Sequence, residues 1–253
     1  MDAPITLVCL PYAGGSRAMY SGWSKQMPSW IDLCPLDPPG HGQRRSTPAA
    51  GSWSELVDAL VQALPDTAAS GDIAIFGHSM GALAGYELAH ALRETTGRSP
   101  VWLGVSACTA PSRREFNTQW RTCSDEAMID ELRRLGGTPA ELLDDRDFIE
   151  LALPTLRTDF DLCGTYRADP RRAPLDCRVT AFGGVDDAVS QAPGALDAWA
   201  DVTRAKFERR LFQGGHFYLN EVAGSVIEAV VSALSTARMQ SRAPLEGRPW
   251  TLW

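Results

Sequence analysis

The sequence predicts an α/β fold with a mostly parallel central sheet and helices on both faces. Three observations predict it. Short apolar runs rich in β-branched residues recur along the chain, stretches of helical periodicity separate most of them, and the runs are apolar on both faces. Alternation of strand and helix builds parallel sheets, and strands buried on both sides need helices on both sides.

The runs are Ile5 to Leu10, Ile31 to Leu36, Ile73 to Phe76, Val101 to Ser106, Val179 to Phe182 and a more polar Glu208 to Phe212. Trp53, Leu56, Val57, Leu60, Val61 and Leu64 follow i, i+3, i+4, i+7 spacing and predict one helix; Leu83, Tyr86, Glu87 and His90 belong to a second that ends near Gly97. Between Pro111 and Pro174 the alternation stops. That stretch offers helical pieces from Asp125 to Leu135 and Pro139 to Leu143, joined by Gly136 and Gly137, and reads as a helical insertion over the carboxyl ends of the sheet. The expected organisation is a core of residues 1–111 and 174–239, a lid at 112–173, and a C-terminal tail at 240–253 that docks, if at all, through Trp250 and Trp253.

With 253 residues, 44% hydrophobic and 22% charged, the chain has the material for one large domain. Its net charge of −7, with arginines in short pairs and no long basic run, argues against nucleic-acid binding. Six cysteines without CxxC or CxxH spacing, several inside apolar runs, predict reduced thiols and no structural metal. The N-terminus lacks the basic flank of a secretory signal, and no segment reaches the length of about 18 apolar residues that a membrane span needs. A soluble cytoplasmic protein without cofactor is the expectation.

The chemistry concentrates at Gly77-His78-Ser79-Met80-Gly81, which follows the apolar run Ile73 to Phe76 and precedes a helix. Strand, G-x-S-x-G and helix in this order form a nucleophile elbow: a sharp turn lifts the Ser79 hydroxyl to the sheet edge, and the Met80 N–H at the helix start can hold an oxyanion. A serine hydroxyl needs a base. Of the four histidines, His78 lies inside the elbow with its side chain expected to point away from Oγ, His90 is most simply a surface or groove residue, and His41 sits on a loop before the elbow. His216, in Gln213-Gly214-Gly215-His216-Phe217 after a strand, remains as the base. Asp186 and Asp187 follow the strand Val179 to Phe182, and only one of them can orient His216. The chain order Ser, Asp, His is that of the α/β-hydrolase fold.

With these residues in hand, the chain resembles the type II thioesterases that accompany polyketide synthases and nonribosomal peptide synthetases. The motifs that carry the resemblance are Leu10-Pro11-Tyr12-Ala13-Gly14-Gly15-Ser16, Phe76 to Ala82, Leu135-Gly136-Gly137-Thr138-Pro139, Leu153 to Phe160, Phe182-Gly183-Gly184 and Gly214-Gly215-His216-Phe217. It implies Asp187 as the acid and the Ala13 N–H as the second oxyanion donor beside Met80. Two departures concern the approach to the site: Tyr12 stands where the family usually has His, and Pro39-Gly40-His41-Gly42-Gln43-Arg44 lacks the usual arginine and acid.

The implied reaction is hydrolysis of acyl groups from the phosphopantetheine arm of acyl or peptidyl carrier proteins. Tyr12, Met128, Leu132, Phe148 and Phe217 are candidate substrate contacts, with Leu135, Leu142 and Leu153 as further wall candidates, and Arg44, Arg45, Arg113, Arg114, Arg171 and Arg172 are candidates for docking an acidic carrier. The competing readings are a small-ester carboxylesterase, an acyltransferase or cyclising thioesterase, and an inactive carrier-binding module.

Overall fold

In a computed structural model of the chain, residues 3–241 are described. In chain order the elements are β1 (Ile5–Leu10), β2 (Ile31–Pro35), α1 (Trp53–Gln62), α2 (Thr67–Ser70), β3 (Ile73–His78), α3 (Met80–Thr96), β4 (Trp102–Ser106), α4 (Asp125–Leu135), α5 (Ala140–Leu143), α6 (Arg146–Thr165), β5 (Arg178–Gly184), α7 (Ala188–Gln191), β6 (Phe207–Phe212), α8 (Tyr218–Glu221) and α9 (Ala223–Ser241). Every predicted strand is present, with ends shifted by two residues at most. The helix α9 runs to Ser241; the rest of the expected tail, with Trp250 and Trp253, lies outside the described residues.

The six strands form one parallel sheet in the order β2-β1-β3-β4-β5-β6. The chain runs outward from β1 to β2 and then returns to place β3 on the other side of β1. That reversal between β1 and β3 is the topological switch point, where the loops at the carboxyl ends part and leave a crevice. Leu10 pairs with Gly77 there, so the Tyr12–Gly15 loop and the Ser79 elbow flank one opening.

Two apolar layers cover the sheet. One side packs Val8, Ile75, Leu103 and Val179 against Leu56 and Leu60 of α1 and Leu83 and Leu88 of α3; the other packs Leu7, Phe76, Trp102 and Phe182 against Val226, Val230 and Leu234 of α9. Alternate residues of one strand serve opposite layers, which is why the strands read as unbroken apolar runs.

A third cluster, of Met128, Leu132, Leu143, Ile149, Leu153 and Leu156, lies wholly within α4, α5 and α6. The segment between β4 and β5 thus has its own small core. Ser124 caps α4 by accepting from Ala127 N, and Gly136 ends it at φ +76°. The 20-residue α6 is longer than anything the apolar periodicity of the segment suggested, because Pro154 interrupts the pattern without ending the helix. Pro154 and Glu150, whose carbonyl loses its helical partner, both lie on the exposed side. The C-terminal half of α6 is tied to the body by Trp53 Nε1 donating to Leu162 O (2.9 Å), and to the start of the insertion by Asn117 N donating to Gly164 O (2.8 Å). All six cysteines are free thiols, Cys9, Cys108 and Cys177 buried and Cys34, Cys123 and Cys163 half-buried.

Candidate active site

Ser79 joins β3 to α3 with φ 54° and ψ −114°, a left-handed backbone that costs a non-glycine residue on the order of 1–3 kcal/mol. Its neighbours explain how so tight a bend closes. A Cβ at Gly77 would overlap the Gly81 carbonyl and one at Gly81 would overlap the Leu10 carbonyl, so both positions must be bare. Ser79 N donates to Ser106 O at 2.8 Å, which fixes the bend to the neighbouring strand.

His216 follows β6, and Asp187 follows the adjacent strand β5. Ser79 Oγ lies 3.1 Å from His216 Nε2, and His216 Nδ1 lies 3.1 Å from Asp187 Oδ1. The three residues brought together by the sheet are therefore 137 and 29 positions apart in the chain. Asp187 is 3% exposed, whereas Asp186 is open to solvent.

Asp187 also caps α7. Its carboxylate accepts from Val189 N (3.1 Å), Ser190 N (3.2 Å) and Ser190 Oγ (2.5 Å). Burial opposes the charge on this carboxylate, but His216, Ser190 and the Val189 N–H outweigh it and pull the pKa down to about 2. It stays an acceptor at neutral pH. Ser190 was not singled out in the sequence; the signal that marks it is the Asp187-x-x-Ser190 spacing of a helix N-cap.

The other histidines sort cleanly. His78 is fully buried behind the elbow, with Nδ1 at 2.8 Å from Ser106 Oγ, which in turn lies 2.7 Å from Tyr218 Oη. Burial and repulsion from His216 push its imidazole well below the usual range, so it is neutral. His90 departs from the expectation of a surface or groove position. It is fully buried, edge-on to Tyr86 at 4.6 Å, and accepts from Arg93 at 3.1 Å; burial first, then Arg172 and Arg93, lower its pKa to about 4. His41 is buried as well and faces Asp159 of α6, with Nε2 2.8 Å from Oδ2.

Ser79 and His216 open onto a cavity of about 440 Å³. Of the predicted substrate contacts, Tyr12, Leu132, Phe148 and Phe217 line it, as do Ala13 and the further candidates Leu135 and Leu142. Met128 does not. It is fully buried in the core shared by α4, α5 and α6, one turn before the cavity-lining Leu132 on the same side of α4, and Leu153 packs in the same core. Tyr12 and Phe217 meet edge to face at 4.8 Å, and a Cβ at Gly137 would overlap the Phe217 ring. Met80 N, the first amide of α3, and Ala13 N have no protein acceptor among the described residues. Leu142 and Leu151, 38% and 81% exposed, leave apolar surface at the rim.

Four of the six arginines expected to dock a partner are occupied internally: Arg44 with the Asp37 and Ala59 carbonyls, Arg114 with the Cys163 carbonyl, Arg171 with Asp169 and Arg172 with Glu87. Among the described residues Arg45 and Arg113 remain exposed and unpaired. No cluster of three or more metal-ligating side chains occurs among the described residues, and none of their helices is long and apolar enough to cross a membrane.

The thioesterase domain family matches residues 5–237. The chain belongs to this thioesterase family. Gramicidin S biosynthesis protein GrsT of Aneurinibacillus migulanus is 34% identical over 232 residues, 92% of this chain and 90% of that protein. Among solved structures, ClbQ from the colibactin NRPS/PKS pathway superposes with a TM-score of 0.87 at 30% identity, covering 94% of this thioesterase and 99% of ClbQ. The type II thioesterase BorB from the borrelidin biosynthetic cluster gives 0.79 at 33% identity, covering 92% and 94%. The likeness to type II thioesterases and the α/β-hydrolase fold, both read above from motifs, are borne out.

Proposed function

We propose that this thioesterase is a type II editing enzyme that hydrolyses acyl groups from the phosphopantetheine arm of acyl or peptidyl carrier proteins in polyketide or nonribosomal peptide biosynthesis, with Ser79, His216 and Asp187 as its catalytic triad. The observation that carries the reading is the hydrogen-bonded chain from Ser79 Oγ through His216 to the ionised Asp187, at the floor of a cavity walled by apolar side chains.

His216 Nε2 accepts the Ser79 proton as Oγ bonds to the thioester carbonyl carbon; Asp187 holds Nδ1–H and stabilises the imidazolium. The Met80 and Ala13 N–H groups receive the oxyanion. On collapse the C–S bond breaks and the thiolate leaves with the proton from His216. Water then gives its proton to the same imidazole, attacks the acyl-enzyme and releases the free acid. The unit of α4, α5 and α6 acts as the lid, and its leucines and Phe148 receive the acyl chain. The exposed Leu142 and Leu151 at the rim and the exposed Arg45 and Arg113 support a mouth that meets an acidic carrier protein, in the cytoplasm where such synthases work.

The test is hydrolysis of a panel of acyl groups on one holo-carrier protein, with oxygen esters of equal chain length beside them. Ser79→Ala lowers the turnover of every acyl-carrier thioester by about 10³-fold or more. Undiminished release by Ser79→Ala removes the triad, and faster turnover of the oxygen esters removes the carrier-protein assignment.

A further inference from the structure

A second buried histidine–aspartate pair borders the same cavity through its histidine, and the mechanism above does not use it. His41 and Asp159 are 5% and 3% exposed. His41 Nε2 lies 2.8 Å from Asp159 Oδ2, and His41 Nδ1 lies 2.8 Å from the Pro39 carbonyl oxygen. A carbonyl cannot donate, so Nδ1 carries a hydrogen. On the other side Asp159 Oδ2 already accepts from Gly14 N at 2.7 Å, and a carboxylate oxygen that accepts from both neighbours requires a hydrogen on Nε2 as well. Both ring nitrogens are therefore donors, and His41 is an imidazolium.

Three separate segments meet at this pair: the loop after β2 through His41, the lid helix α6 through Asp159, and the loop after β1 through Gly14. The last is a tight turn in which Gly15 N donates to Tyr12 O at 2.8 Å and Gly14 takes φ +75°. Leu156, one helical turn before Asp159, presses on the same glycine so closely that a Cβ there would overlap it. One face of α6 thus holds the turn by an apolar contact and a charged hydrogen bond together. With the Gly14 N–H taken by Asp159, the neighbouring Ala13 N–H is the amide of the turn left for a ligand, and Ala13 lines the cavity with Ser79.

We propose that His41 and Asp159 are positioning residues that hold the Ala13–Gly14 turn in the geometry that presents the Ala13 N–H to the reacting carbonyl, and so make oxyanion stabilisation depend on a seated lid. The inference rests on the triad reading given above. It also has a pH signature. The groups that face His41 are Asp159 on α6 and Asp37 on the loop after β2, whose own carboxylate accepts from Arg17 N and Gln43 N. Burial opposes the charge on His41, but Asp159, the Pro39 carbonyl and Asp37 outweigh it and raise its pKa above the usual imidazole range. Once His41 deprotonates at high pH the ring keeps a single N–H for two acceptors, so lone pairs face each other either at Asp159 Oδ2 or at the Pro39 carbonyl. The ring then no longer ties the loop after β2 to α6, and the Asp159 carboxylate that holds Gly14 loses its brace.

The experiment measures kcat and KM on an acyl N-acetylcysteamine thioester from pH 6 to 10, corrected for spontaneous hydrolysis, for wild type, Ser79→Ala, Asp159→Asn and His41→Gln. Asp159→Asn is expected to lower kcat by about 10- to 100-fold with little change in KM, a fraction of the loss on deleting an oxyanion donor outright. His41→Gln, which offers Asp159 an N–H at every pH, is expected to lower kcat a few-fold at neutral pH and to abolish the alkaline fall in kcat expected of wild type. A wild-type kcat in Asp159→Asn, or an alkaline fall that persists in His41→Gln, overturns the proposal. If Asp159→Asn does not fold, the His41→Gln profile decides alone. Hydrolysis that survives Ser79→Ala would instead overturn the triad reading, so the two failures are distinguishable.

Discussion

The two histidine–aspartate pairs whose histidines line the cavity look alike at first contact and differ in what lies on the far nitrogen. In each, a buried imidazole meets a buried carboxylate at 2.8–3.1 Å. His216 presents its second nitrogen to the Ser79 hydroxyl, a group that can donate, so the ring can be neutral and hold a lone pair ready for a proton. His41 presents its second nitrogen to a carbonyl, has no free lone pair, and is excluded as a base by geometry alone. A histidine beside an aspartate is thus no signature of a base; the third contact decides. The acids differ too. Asp187 is braced by α7, the helix it caps, and makes no hydrogen bond to the α4–α6 insertion among the described residues, whereas Asp159 belongs to α6 of that insertion. In the proposed mechanism proton transfer is anchored to the sheet, and the α4–α6 insertion reaches only the turn beside it.

The largest effect that tests this contrast is Asp187→Asn. It leaves the shape intact but favours the wrong tautomer of His216, and kcat is expected to fall by about 10⁴-fold, far more than Asp159→Asn. Equal losses in steady-state assays of the two variants would erase the distinction drawn here. Ser190→Ala sharpens it at smaller cost: removing one hydroxyl donor from Asp187 leaves the two backbone bonds, so kcat is expected to drop about 3- to 10-fold, read in the same assay.

The smallest effect is in stability against pH, and its sign differs between the pairs. His41 has a raised folded pKa, so its contribution is complete below the ordinary value of 6.5 and is lost as pH rises through the folded value. Asp187 has a lowered one, so its contribution is complete above 3.8 and is lost as pH falls toward about 2. In thermal melts, wild type is expected to exceed His41→Gln by about 2–4 °C at pH 6, equivalent to roughly 1 kcal/mol, and the gap closes at alkaline pH. A gap that widens at alkaline pH would mean that the second pair is neutral.

What the sequence revealed follows from how far each interaction reaches. The strands, the elbow at Gly77 to Gly81 and the loop carrying His216 are local patterns, and local patterns are visible in a linear string. Asp186 and Asp187 look identical to any periodicity, and the choice between them came from family resemblance; burial and the α7 cap separate them in space. Asp159 was invisible as a partner of Gly14 because 145 positions separate them and no motif links a lid helix to a glycine turn. Met128 and His90 erred in opposite senses. An apolar residue of the insertion was read as cavity wall although the insertion has a core of its own to fill, and a polar residue on a helix was read as a surface or groove residue although α3 is covered along most of its length.

The six free thiols have a bearing on this chemistry. Any thiolate beside an acyl thioester invites exchange, in which sulfur displaces sulfur and the acyl group ends up stranded on the wrong side chain. Among the described residues no cysteine lines the cavity, and burial raises the pKa of Cys108 to about 11 and those of Cys163 and Cys177 to about 12. With its thiols off the cavity wall, the chain keeps sulfur away from the space in which the proposed acyl-enzyme would form.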